Sequence, residues 1–203
     1  MSDPLMAGRE HLAALARPLA ALEEEVDRID AWGHELARVL LAGGRLLAVG
    51  NGGSAAQAQH LTSELVGRYR DDRPAFSALA LCSEGASLTS ITNDYGAEEA
   101  FARQVRAHGR PGDFLVALTT SGRSSNVVQA VDAANEGGLV TWGLTGRAPN
   151  PVANRCQHSL SVDAPATATV QEVHQVVIHL VCAAVEVEVS AFLRQNSVPG
   201  LAP

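Results

Sequence analysis

Leu46-Leu47-Ala48-Val49-Gly50-Asn51-Gly52-Gly53-Ser54-Ala55-Ala56 is the stretch on which the fold turns. A short apolar run breaks at Gly50 into a glycine-rich turn and then into small helix-forming residues, the pattern of a buried strand passing into a helix. At such a junction the first backbone N–H groups of the helix point at an anion, often a phosphate. A dinucleotide, a nucleoside triphosphate and a sugar phosphate each fit that description. The turn satisfies G-x-G-x-x-A, and Glu84, just past the next apolar run, could pass for an acid that holds a ribose hydroxyl. No G-x-x-x-x-G-K-[ST] occurs, so the turn is not a P-loop.

Outward from this junction the pattern repeats. The apolar runs "RLLAVG" (45–50), "FSALAL" (76–81), "DFLVALTT" (113–120), "LVTWGLTG" (139–146) and "HSLSVD" (158–163) are separated mostly by segments of helical length. Continuous apolar strands spaced by helices predict an α/β fold with a parallel sheet covered on both faces. Upstream, Leu12, Leu15, Leu19, Leu22, Val26, Trp32, Leu36, Val39 and Leu40 recur at helical spacing, which predicts one or two helices between Pro4 and Ala42. Downstream, "TVQEVHQVVIHLVCAAVEVEVSAFLRQ" (169–195) is too long for a strand. Its middle is apolar nearly all round, which predicts a helix buried on most sides, partly by other subunits. The last residues, 196–203, are expected to form a frayed tail.

With 203 residues and 46% hydrophobic content, the chain is expected to form a single domain over 1–203 with a sizeable core. A net charge of −7 with 15 Lys+Arg argues against a nucleic-acid or anionic-membrane surface, because either needs a concentrated basic footprint. Cys82, Cys156 and Cys182 are far apart and odd in number, so neither a disulfide framework nor a zinc knuckle follows; reduced buried thiols are expected. The N-terminus shows no basic region followed by an apolar run, and no apolar stretch is read as reaching membrane-spanning length, so the expected location is the cytoplasm.

A second loop, "LTTSGRSSN" (118–126), also lies where a strand gives way to a helix. Thr119, Thr120, Ser121, Ser124 and Ser125 crowd hydroxyls around Gly122, beside the free N–H groups of a helix start. Hydroxyls and amides hold a phosphate without a lysine, although Ser and Thr here also suit helix capping. In open parallel sheets ligands gather at the carboxyl ends of the strands, which favours two phosphate-type loops acting together. After the first loop His60 and Glu64 are four residues apart, on one helical face, and suit either a divalent metal or acid/base chemistry. A surface ion pair would have the same spacing. Gln171, Glu172, His174, Gln175 and His179 interrupt the apolar C-terminal helix, and polar groups on a buried helix must find partners.

"GNGGSAAQAQHLTSELVGRYRDDRP", "TNDYG", "TTSGRSSNV" and "VQEVHQVVIHLV" together closely resemble the sedoheptulose 7-phosphate isomerases, or phosphoheptose isomerases, of the sugar isomerase (SIS) fold, over residues 30–193. The resemblance implies a three-layer αβα sandwich on a five-stranded parallel sheet. It implies a homotetramer with one zinc ion per active site, converting sedoheptulose 7-phosphate to D-glycero-D-manno-heptose 7-phosphate. Carried over by position, the metal ligands fall on His60, Glu64, Gln171 and His179, and the acid/base pair on Glu64 and His179. The phosphate contacts fall on Ser54, Thr119, Thr120, Ser121 and Ser124, and the sugar contacts on Asn51 and Asp94. Gly52 and Gly53 form the turn around the substrate, and Gln171 also borders it.

Three positions depart from the family pattern. Gln57 replaces the usual Asp one turn before His60, Thr119 stands where Ser is common, and Thr169 replaces a long basic side chain. A ketose-to-aldose conversion passes through an enediol(ate) and needs a base, an acid and positive charge where the oxyanion develops. Glu64 and His179 supply the first two, and no redox cofactor is needed. SIS domains also serve as sugar-phosphate sensors and interaction modules, but such a module has no use for an acid/base pair. Gln171 and His179 lie eight residues apart, about 12 Å along a helix, too far to share one ion easily. The expectation is therefore a site completed by two subunits.

Overall fold

The structure is a computed structural model that describes residues 4–196. The expected tail from 197 onward lies outside the described residues. Two helices, α1 (Pro4–Ala21) and α2 (Val26–Leu41), are joined by a 3₁₀ turn at Leu22–Glu25. Strands β1 (Arg45–Val49), β2 (Ser77–Ala80), β3 (Phe114–Thr119), β4 (Val140–Thr145) and β5 (His158–Ser161) follow, each inside an apolar run of the sequence. The intervening helices are α3 (Gly53–Val66), α4 (Gly85–Tyr95), α5 (Glu99–His108), α6 (Ser125–Glu136) and α7 (Pro151–Arg155), and α8 (Thr167–Gln195) closes the chain.

All strand pairs are parallel, in the order β2-β1-β3-β4-β5. The alternation of side chains along a strand divides the core in two. Leu46 and Ala48 join Phe114, Val116 and Leu118 in a core with Trp32 and Leu36 of α2, Leu61 of α3 and Val177 of α8. Leu47 and Val49 join Leu115 and Ala117 in the opposite core, with Phe101 and Val105 of α5 and Val127 and Val131 of α6. Each buried leucine, valine or phenylalanine among them contributes about 1.5–3 kcal/mol, which is why these strands are apolar on both faces. This is the expected three-layer αβα sandwich with an N-terminal helical segment and a long C-terminal helix.

The strand order reverses between β1 and β3. The β2 crossover runs to one side of β1 and the β3, β4 and β5 crossovers run to the other, so the loops after β1 and β3 diverge and leave a crevice at the carboxyl end of the sheet.

Helix α8 corrects one expectation. By length and composition it is long and apolar enough to cross a membrane, because the polar residues that interrupt it are mostly uncharged amides and imidazoles. Here it packs along the sheet beside α2, with Val173, Val177, Ile178 and Val185 buried. At the crossing with α2 a Cβ on Gly33 would lie 2.4 Å from the Cβ of Ala184, so this approach requires glycine. The opposite face of α8 carries an exposed Val187.

Candidate active site

The first loop ends β1 and opens α3. Gly52 takes φ +54°, a left-handed conformation suited to glycine, and a Cβ on Gly50 would lie 2.5 Å from the carbonyl oxygen of Ser54. Ser54 is buried at the start of α3, and its N–H donates to the Asn51 carbonyl at 3.0 Å. Gly53 meets α8 directly: a Cβ there would lie 2.5–2.8 Å from the amide atoms of Gln171. The turn and the first residues of α8 therefore share one surface.

The second loop leaves β3 beside it. Gly122 takes φ +63°, its N–H donates to Thr119 Oγ1 at 3.2 Å, and Arg123 N–H donates to Ser121 Oγ at 3.2 Å. Ser124 occupies the N-cap position of α6, yet its side chain makes no capping bond, so the capping role allowed by the sequence is not the one it plays. Asn51 and Asn126 exchange two amide hydrogen bonds of 2.9 Å, which bind the first loop to the first turn of α6. The two loops thus form one cradle, with Thr119 buried, Thr120 and Ser124 half-buried and Ser121 exposed.

On α3, His60 Nε2 lies 3.3 Å from Glu64 Oε1. The pair is no isolated surface contact, because His179 of α8 brings its Nε2 to 3.0 Å from His60 Nε2. Gln175 Nε2 donates to the same His179 nitrogen at 3.1 Å, and Tyr69 lies 5.6 Å from the His179 ring, centroid to centroid. Arg73 holds the end of α3 by donating to the carbonyls of Glu64 and Leu65. Burial lowers the pKa of that guanidinium, against the opposing pull of Glu186.

Two imidazoles and a carboxylate in contact are a donor set of the kind that holds zinc. Two nitrogens on one tetrahedral zinc stand about 3.3 Å apart, close to the separation found between the two rings. Among the described residues, however, no three of His, Cys, Asp and Glu close around a common point as a finished cage. Gln171 does not reach His179; its amide lies against Gly53, and Gln175, one turn on, occupies that place.

Asp94 lies on the last turn of α4, exposed, with its carboxylate accepting from Asn93 Nδ2 at 2.7 Å, and the structure joins it to neither loop by a hydrogen bond. Glu84 caps α4 by accepting from Ala86 and Ser87 N–H, and bonds from Ser87 hold its pKa below the usual carboxylate range. That capping role removes the main support for a dinucleotide. Gln57 is buried and donates to the Gln171 carbonyl at 2.5 Å, leaving its own Oε1 without a partner. Thr169, which stands in place of a long basic side chain, is buried with its hydroxyl unpartnered.

Asn126 and Gln175 were not legible as site residues. Gln175 was visible as one of the polar interruptions of α8, but nothing local distinguished it from Gln171. Asn126 has no sequence signal beyond its place at the end of the hydroxyl-rich loop.

The SIS domain family matches residues 10–146. A phosphoheptose isomerase of Streptomyces coelicolor is 59% identical over 174 residues, covering 86% of this chain and 75% of that protein. One from Thiobacillus denitrificans is 44% identical over 180 residues, covering 87% and 91%. Among solved structures, a phosphoheptose isomerase from Neisseria gonorrhoeae superposes with a TM-score of 0.84 at 37% identity, covering 91% of this chain and all of that one. With two loops cradling one crevice and a His–Glu–His cluster beside them, the chain belongs to the phosphoheptose isomerase family of SIS-domain proteins and is an aldose–ketose isomerase of sugar phosphates.

Proposed function

We propose that the substrate is sedoheptulose 7-phosphate and the product D-glycero-D-manno-heptose 7-phosphate. The observation that carries this reading is the meeting of Glu64, His60 and His179 from two helices, beside the joined loops. Thr119, Thr120, Ser121 and Ser124 bind the phosphate together with Ser54, and its binding energy holds the reacting carbons at the other end. Asn51, Gly52, Gly53 and Gln171 border the sugar. Asp94 reaches the sugar hydroxyls only if α4 or another subunit brings it closer.

Glu64 takes the proton from the carbon beside the carbonyl, and its carboxyl returns it to the former carbonyl carbon. His179 serves the oxygens of the enediol(ate), donating a proton to the former carbonyl oxygen and accepting the proton that the neighbouring hydroxyl gives up as it becomes the new carbonyl. Arg73 fixes the turn that carries Glu64. His60, Glu64, Gln171 and His179 would hold the zinc ion, which when bound supplies Lewis-acid stabilisation of the developing oxyanion. A homotetramer completes the set, with Gln171 of one chain serving the His179 of another. The enzyme acts in the cytoplasm on a free sugar phosphate; its net charge of −7 with only 15 Lys+Arg supports the reading that neither nucleic acid nor an anionic membrane is its partner.

The test is to incubate the protein with a panel of ketose phosphates, with and without a chelator, and follow aldose formation. The expected result is conversion of sedoheptulose 7-phosphate, lost with the chelator. Turnover of a pentulose or hexulose phosphate in its place moves the substrate assignment. In the Glu64→Gln variant turnover should fall about a hundredfold or more, since the amide keeps the shape but is no base. Wild-type turnover there removes the base assignment, and loss of zinc from that variant shows that coordination is its first role.

A further inference from the structure

A buried polar chain runs from α8 to the second loop, and the reaction derived above gives it no part. His174 is 0% exposed and donates from Nε2 to the carbonyl of Thr145 at 3.1 Å. Burial pushes its pKa down to about 4, so the ring is neutral and Nδ1 keeps a lone pair without a partner. Thr145 ends β4 directly opposite Thr119, the residue at which the second loop begins. The Thr145 hydroxyl accepts from Asn150 Nδ2 at 3.0 Å and lies 2.9 Å from Ser161 Oγ.

Asn150, 3% exposed, is saturated from both ends of its amide. Its Nδ2 also reaches the carbonyls of Gly146 and Arg147 at 3.3 Å, and its Oδ1 caps α7 by accepting from Ala153 N–H at 2.9 Å. The flank of this side chain is pressed against the loop. A Cβ on Gly122 would lie 2.0 Å from Asn150 Oδ1 and 2.1 Å from its Cγ, and Gly122 accepts at its carbonyl from Val152 N–H at 3.1 Å. On the other side, a Cβ on Gly146 would lie 2.0 Å from the carbonyl oxygen of Thr120. Residues 119–122 are thus seated on residues 145–152, and that seat is anchored to α8 by His174.

We propose that Asn150 and His174 are positioning residues, which hold the hydroxyl loop in the shape that accepts a phosphate and in register with the helix that carries His179. The proposal rests on the reading of residues 119–124 as the phosphate cradle. A side chain needed only to fill space would be apolar here, since a buried amide or imidazole is costly unless its bonds serve a purpose. Every bond that Asn150 makes goes to the segments that close the carboxyl end of the sheet, where the site lies.

The experiment measures kcat and KM for sedoheptulose 7-phosphate, the inhibition constant of inorganic phosphate and the unfolding midpoint. The proteins are wild type, Ser124→Ala, Asn150→Ser, His174→Phe and His174→Gln. Serine retains the α7 cap but loses the amide donor, and glutamine places an N–H near the position of the imidazole Nε2. Asn150→Ser and His174→Phe should each raise KM and the phosphate inhibition constant about tenfold, with kcat within about threefold. His174→Gln should recover most of that loss. A folded Asn150→Ser variant with wild-type phosphate inhibition overturns the proposal, as does a fall in kcat at unchanged KM. Asn150→Ser decides the matter alone if His174→Phe does not fold. Ser124→Ala separates the two readings. Weakened phosphate there with wild-type affinity in Asn150→Ser removes the positioning role only, and wild-type affinity in both removes the phosphate loop and the positioning role with it.

Discussion

At position 57 the chain carries an amide where the family it resembles has a carboxylate, and the structure gives the amide a task. Its N–H donates to the Gln171 carbonyl, which an acceptor-only carboxylate cannot do. The first turns of α3 and α8 are therefore tied by a neutral bond, and the neutral Thr169 stands in the same turn of α8 in place of a basic side chain. Restoring only the acid places a carboxylate against a carbonyl oxygen in a buried position. Gln57→Asp is expected to cost about 2 kcal/mol, a fall of about 5 °C in the thermal unfolding midpoint. A midpoint equal to wild type with raised activity would show instead that the charge missing from α3 limits the site.

Between elements, the contact that matters most is that of the first loop with α8. Gly53 opens α3, and its open side is filled by the amide end of Gln171. Adding a methyl group there collides with the tip of a flexible side chain rather than with backbone, so the helix itself loses nothing and gains up to about 1 kcal/mol in propensity. Gly53→Ala should therefore leave the unfolding midpoint unchanged or slightly raised while lowering kcat/KM about tenfold by displacing Gln171. Calorimetry and steady-state kinetics on one preparation check both halves. Unchanged kinetics would show that the place of Gln171 against the loop has no bearing on the reaction.

For the whole molecule, the continuous course of α8 bears on how the site is completed. Gln171 and His179 are on one unbroken helix, and their eight-residue separation keeps them about 12 Å apart along its axis. Within one chain His179 meets His60 and Gln175, not Gln171. If Gln171 serves the neighbouring subunit, an inactive His60→Ala protein mixed with an inactive Gln171→Ala protein regains activity after dissociation and reassembly. About a quarter of the sites in a random mixture of dimer-related chains carry neither substitution, so recovery of up to about that fraction of wild-type activity is expected. No recovery in verified mixed oligomers places both residues at one site in one chain.

Much of this was legible from short stretches of sequence, because strand burial, turn chemistry and helical spacing are local properties. The apolar runs located all five strands, the glycine and hydroxyl clusters located both loops, and the spacing of His60 and Glu64 put them on one face of a helix. The family motifs added His179 and Gln171, but no local pattern says which atoms these residues touch. That was decided by the strand order, which lays β3 beside β1 and so brings Asn126 to Asn51, and by the packing of α8, which brings His179 to His60. Asn150 is a polar residue in a loop when viewed in sequence, and only the seat it forms under Gly122 distinguishes it. The fate of α8 is settled in the same way. Its hydropathy suits a membrane as well as a core, and what makes it a core helix is the surface of α2 and the sheet against which its valines are buried.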